Sequence, residues 1–438
     1  MMQLLSTGSG RYQGPRSSAV RPRGRRAGIL GTILAGLMLV GNIPATAAAT
    51  VTSTIPVGAS PRNVAFTPDG SKAYVTNWES STVSVIDVAS GTVASTIRVG
   101  AGPLGVAFAP NGLKAYVTSA GPNTVSVIDV ASGTVTSTIP AGETPMAVAF
   151  APDGLKAYVT SGGSNSGTVS VINVASGAVT STIPVGPLPN AVAFAPDGAK
   201  AYVTNGQDSN QVSVIDVALG RMTSTIPVGS SPTGVAFTPD GSAAYVANNE
   251  GDTVSVIDVA SGTVTSTIPV GWAPDSVAIA PDGSTAYVTN SGADTVSVID
   301  VASGAVTSTI PVGTPPTGVA VAPDGSTVYV VNTSSNTVSV ITVDAAPLVF
   351  TAATPPTKAN TRAAYNYTFA ATGAPAPTFR VSSGALPAGL NLDGATGVLS
   401  GTPTKAGKFT FKVTAANGVS PHAVTDRITI TVTKAKVR

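Results

Sequence analysis

The chain has 438 residues, enough for a large domain and a second one, and it contains no cysteine, which excludes disulfides and thiol chemistry. Hydrophobic residues make up 43% and charged residues only 10%, with 47 glycines and 34 prolines, a mixture that excludes a disordered chain and suits short strands joined by tight turns. The formal charge of +2 conceals a division that emerges along the sequence.

Residues 1–47 hold six arginines and no acid. An apolar run from Ala27 to Gly41 and the small-x-small site Ala45-Thr46-Ala47 complete the layout of a secretory signal peptide. The run is short for a membrane span, so no stable span is expected once it is removed. Residues 48–344 then carry 7 basic and 19 acidic side chains, whereas residues 345–438 carry 10 basic and 2 acidic. The first of these segments has no basic track for phosphates, and no nucleic-acid partner is expected.

From Val51 to Val343 one phrase of about 42 residues recurs seven times. Its Pro-Asp/Asn-Gly turn places Asp or Asn at Asp69, Asn111, Asp153, Asp197, Asp240, Asp282 and Asp324. Each unit divides into four β-prone runs, in the first case Asn63–Thr67, Lys72–Thr76, Thr82–Val88 and Val93–Val99. Proline presets φ in the first turn and glycine accepts a left-handed conformation. Four short strands repeated radially describe a propeller blade. The last run usually reads TSTIPVG, and its proline lacks the N–H that a central strand needs, so this run belongs at the outer edge. The first run carries a small residue before its leading valine in most copies, as at Gly105, Ala147, Ala191, Gly234, Ser276 and Gly318, and suits the crowded inner position.

An outer-strand phrase precedes the first turn unit, and the seventh unit ends at Val343 without one. Residues 51–57 are therefore expected to complete the last blade and close a ring. The phrase YVTN stands at Tyr74, Tyr202 and Tyr287, with YVTS at Tyr116 and Tyr158, YVAN at Tyr245 and YVVN at Tyr329. With the flanking PDG and VSVIDVASGTV phrases, this resembles the YVTN family of β-propeller repeats of surface-layer and secreted proteins. The resemblance implies a scaffold rather than a reaction.

After Thr342 the period stops. Residues 345–356 are expected as a linker, 357–434 as a small β-sandwich and 435–438 as a basic tail. The phrases YNYTFAATGAPAPTF, LPAGLNLDGATGVLSGTPTKAG and FTFKVTAANGVSP resemble the Ig-like domain of bacterial extracellular proteins, which is related to cadherin-like modules. Asp393 and Asp426 are its only carboxylates, too few for the oxygen cage of Ca²⁺.

The search for chemistry returns little. The one histidine, His422, has no second ligand or nucleophile motif beside it, so neither a zinc site nor a triad is indicated. The acids that end the third run, such as Asp87, are replaced by Asn173 and Thr342, which points to turn bonding rather than charge. Function is expected where the repeats differ, in the loops opposite the PDG turns. Those loops contribute the candidate binding face: Arg62, Trp78, Glu79, Glu143, Met146, Asn190, Asp208, Glu250, Asp252, Trp272, Asp275 and Asp294. Trp78 and Trp272 are read as aromatic anchors or, equally, as covers of blade edges.

The expected chain is all-β, a seven-bladed β-propeller at 48–344 closed by an outer strand at about 51–57 and followed by an Ig-like β-sandwich. The expected role is that of a secreted or cell-surface monomer without enzymatic activity, cofactor or metal, binding a protein or a cell-envelope glycan. The alternatives are a hydrolase, lactonase or lyase with a channel-mouth site and a purely structural envelope protein.

Overall fold

A computed structural model describes residues 49–162, 167–206, 209–343, 348–373, 377–416 and 423–434. The leader 1–47, His422 and the tail 435–438 lie outside the described residues. Seven four-stranded antiparallel sheets follow one another, and six are simple meanders such as Pro61–Phe66, Lys72–Asn77, Thr82–Asp87 and Thr92–Arg98. The seventh is composite. Strand Thr50–Pro56 pairs with Thr337–Thr342, which continues to Thr327–Asn332 and Pro316–Val321. The N-terminal outer strand thus closes the ring as its repeat phrase predicts.

The constant residues fall at the blade junctions. The tyrosine of the second strand is buried and meets the first-strand phenylalanine of the next blade, as in Tyr74–Phe108, Tyr116–Phe150, Tyr158–Phe194, Tyr202–Phe237 and Tyr329–Phe66, with ring centroids 4.7–4.8 Å apart. Tyr245 and Tyr287 meet Ile279 and Val321 at the same positions. The YVTN threonine crosses the same junction: Thr76, Thr118, Thr160, Thr204 and Thr289 donate to the carbonyls of Leu104, Met146, Asn190, Thr233 and Thr317. Ala247 and Val331 have no hydroxyl, and there Thr233 donates to Pro274 O while Thr317 donates to Arg62 O. Every junction therefore retains a side-chain hydrogen bond to the next blade.

Close approach explains the small residues of the inner strands. A Cβ at Gly105, Gly234 or Gly318 would lie 2.8–2.9 Å from backbone atoms of the following blade. The glycine of the TIPVG phrase is equally constrained, since a Cβ at Gly186 would lie 2.6 Å from Asn205 Cγ. Turn bonding also accounts for the repeated acids: Ser90 N donates to Asp87 Oδ1 at 2.8 Å, and Ser176 N donates to Asn173 Oδ1 at the same distance.

The C-terminal part is a separate β-domain. Lys358–Asn360, Ile428–Thr433, Gly407–Ala416 and Thr378–Gly384 form one sheet, while Tyr365–Thr368, Val398–Gly401 and Leu390–Leu392 form another. Tyr365, Phe369, Phe379, Leu399, Phe411 and Ile430 occupy its core. Strands Tyr365–Thr368 and Ala370–Thr372 are separated by Phe369, whose ring enters the core while its N–H bonds Gly397 O. One expectation changes here. The span 345–356, expected as a linker, carries strand Val349–Ala352, which pairs with Ala370–Thr372 because Phe350 has a core to join.

Candidate functional site

Two consecutive residues from each blade line the mouth of the central channel, around a cavity of about 270 Å³. In ring order the first of each pair are Arg62, Leu104, Met146, Asn190, Thr233, Asp275 and Thr317, followed by Asn63, Gly105, Ala147, Ala191, Gly234, Ser276 and Gly318. Each first member sits just after the proline that opens an inner strand, so the repeat itself fixes its place and leaves its identity free.

The polar members differ in what they have left to offer. The Asn190 amide donates to Pro232 O, Thr233 to Pro274 O and Thr317 to Arg62 O, so these groups are engaged in holding blades together. Arg62 and Asp275 are half-buried, and neither side chain has a hydrogen bond or ion pair to another described residue. Arg62 Nε is buried without a partner, and the guanidinium carbon lies 5.7 Å from the centroid of the Trp78 ring. Burial raises the Asp275 carboxyl to about 6, opposed by the charge of Arg62. Leu104 and Met146 give the ring its apolar flank.

The two tryptophans part company. Trp78 is half-buried and its six-membered ring covers Gly102 of the next blade, with 3.1 Å to the place a Cβ would take, so it caps a junction while supporting Arg62. Trp272 lies over Gly292 of its own blade and remains 66% exposed. Glu79, Glu143, Glu250 and Asp294 are exposed in the surrounding loops. Asp252 has a structural task, for its carboxylate accepts the Ala273 N–H and its backbone is left-handed. Asn123, Asn210 and Asn336 make the same contact in other blades, and Asp294 shares their left-handed backbone. Asp208 lies outside the described residues. The structure thus gathers Arg62, Met146, Asn190 and Asp275 at one cavity, leaves Trp272 outside its lining in the loop that precedes Asp275, and distributes the other acids over separate loops. Among the described residues, no three His, Asp or Glu side chains stand together as a metal site.

One feature escaped the sequence reasoning. Leu113, Leu155 and Leu219 are 60–63% exposed on the opposite, PDG-turn face of blades two, three and four. Their signal was available, since other copies carry serine or alanine at these template positions.

Comparison with known proteins agrees with the architecture. The profile of the family described as YNCE-like beta-propeller matches residues 32–322, and that of the family described as Putative Ig domain matches 346–433. Among solved structures, the chain is similar to one described as Kuenenia stuttgartiensis Hydrazine Synthase, at 24% identity and a TM-score of 0.61, covering 69% of this chain and 99% of that one. At that identity the likeness concerns the fold alone. Comparison with curated proteins gives no match.

Proposed function

The chain belongs to the YNCE-like beta-propeller family, and from that premise we propose that it is an exported binding scaffold whose loop face captures a protein or glycan of the cell envelope. A propeller joined to an Ig-like domain is a protein-interaction scaffold. The observation that carries the finer reading is Trp272, a large aromatic left 66% exposed in the loop that leads into strand Pro274–Ile279. Aromatic side chains of this kind anchor interfaces because they bury much apolar area at little entropic cost. The export reading is supported by the leader sequence, and no described helix is long and apolar enough to cross a membrane.

The test compares retention on envelope fractions, with and without protease treatment, for the full chain and its Trp272→Ala variant. The reading expects retention to fall about tenfold or more on substitution. Equal retention of both proteins removes Trp272 as the anchor. Fractionation of producing cells tests export, which fails if the chain stays inside with residues 1–47 attached.

A further inference from the structure

The channel mouth holds two opposite charges in one small cavity, and neither is paired with another described residue. Taking a guanidinium or a carboxylate partly out of water is costly unless it is paired. Here the obvious compensation is withheld. Arg62 is laid against Trp78, and no ion pair within 4.0 Å joins it to Asp275. Of the polar side chains lining the cavity, Asn190, Thr233 and Thr317 already bond to backbone carbonyls of the next blade, and neither Asn63 nor Ser276 bonds to Arg62 or Asp275. A buried Arg62 Nε without an acceptor marks one end of the deficit, and a carboxyl raised to about 6 by burial marks the other. At about 270 Å³ the cavity is below the usual size for drug-like ligands and suits a smaller one.

We infer that the channel mouth binds a small zwitterion of the α-amino-acid class, its carboxylate received by Arg62, its ammonium by Asp275 and an apolar side group by Leu104 and Met146. A neutral sugar would leave both charges unmatched, and a simple anion or cation would leave one. Guanidinium suits a carboxylate because its planar donors match two oxygens at once. The cation–π contact with Trp78, 5.7 Å to the ring centroid, restrains the guanidinium before the ligand arrives, which lowers the ordering cost of binding. The inference uses the face proposed above for macromolecular binding but concerns a separate ligand at its centre.

Trp272→Phe leaves Trp78 as the sole tryptophan, so its emission reports the state of the Arg62 contact. In that background the full chain is titrated with leucine, isoleucine, methionine and phenylalanine, and with the N-acetyl and amide forms of each; calorimetry of the unsubstituted chain provides the second readout. The expected result is saturable binding of at least one free amino acid, weakened about tenfold or more by blocking either charge. Arg62→Gln and Asp275→Asn should each weaken it to a similar degree while thermal unfolding shows both variants folded. No saturation by any of the four at about 10 mM overturns the inference, as does binding that is indifferent to the blocked forms or to both substitutions. Retention on envelope fractions is read separately, so loss of one activity with survival of the other identifies which reading has failed.

Discussion

At the scale of single residues, the hydroxyl of the YVTN threonine and the carboxyl of Asp275 make opposite contributions. Thr118 Oγ1 accepts the Gly105 N–H and donates to Met146 O, each at 2.8 Å. Thr118→Val keeps the shape and strands both partners at a buried junction, which costs about 1–3 kcal/mol and should lower the urea midpoint without changing the slope. An unchanged midpoint would deny the threonine its part in joining the blades. Asp275 works the other way, since burial lifts its carboxyl from 3.8 to about 6 and Arg62 offsets this only in part. The native chain therefore holds this proton more tightly than the unfolded one, and stability is lost as pH rises between those values. Asp275→Asn should melt with the parent near the bottom of that window and above it by about 1–2 kcal/mol at neutral pH. The turn aspartates, including Asp69 and Asp87, are lowered by hydrogen bonds from neighbouring serine and threonine and act in the opposite sense. The parent-to-variant difference isolates Asp275 from them. A difference that does not change with pH would mean that this carboxyl is not desolvated.

At the scale of the strand and blade, the repeat contains its own substitution series. Five junctions pair tyrosine with phenylalanine, while Ile279 and Val321 serve the other two. Branched aliphatic side chains are thus compatible with the position. Phe150→Ile should cost about 1 kcal/mol, the worth of the tilted ring contact with Tyr116, and Phe150→Ala about 2–4 kcal/mol, because it also opens space beside that ring. Equal losses would place the stabilisation in something other than ring packing. Such alignment of copies is why the architecture is legible in the sequence: turn, edge proline and small inner residue each leave a mark at the same position in most units. The candidate site was legible only as a set of positions. The repeat fixes where Arg62 and Asp275 stand, but that Arg62 lies beside Trp78 and that neither charge is paired depends on side-chain contacts peculiar to single copies, and periodicity carries no record of those. In the Ig-like domain, with one copy only, the break at Phe369 and the strand at Val349–Ala352 had no second example to reveal them.

At the scale of the whole molecule, the ring depends on a strand that precedes the first repeat unit by sequence and belongs to the last by position. Thr50–Pro56 shares the register shift found in the other outer strands, between Val51 and Ser53 here and opposite Val85/Ile86 in the first blade. Its Ile55 is 3% exposed and packs with Val64, Tyr329, Val331 and Val338, so it touches both the first blade and the last. A free N-terminal tail would tolerate a charge at this place. A closing strand would not, because an aspartate there is buried without a partner while the edge of Thr337–Thr342 is exposed to other chains. Ile55→Asp should therefore destabilise at least as much as Ile139→Asp, its counterpart within a continuous blade, by about 3–5 kcal/mol. It should also produce association that the second variant lacks, and a synthetic peptide of residues 49–58 should suppress that association by occupying the vacated edge. Thermal unfolding with light scattering reads both effects. If Ile55→Asp melts with the parent, the ring does not rely on this strand, and closure must be carried by the direct contacts of the last blade with the first, the Tyr329–Phe66 ring pair and the Thr317 and Thr333 bonds to Arg62 O and Pro61 O among them.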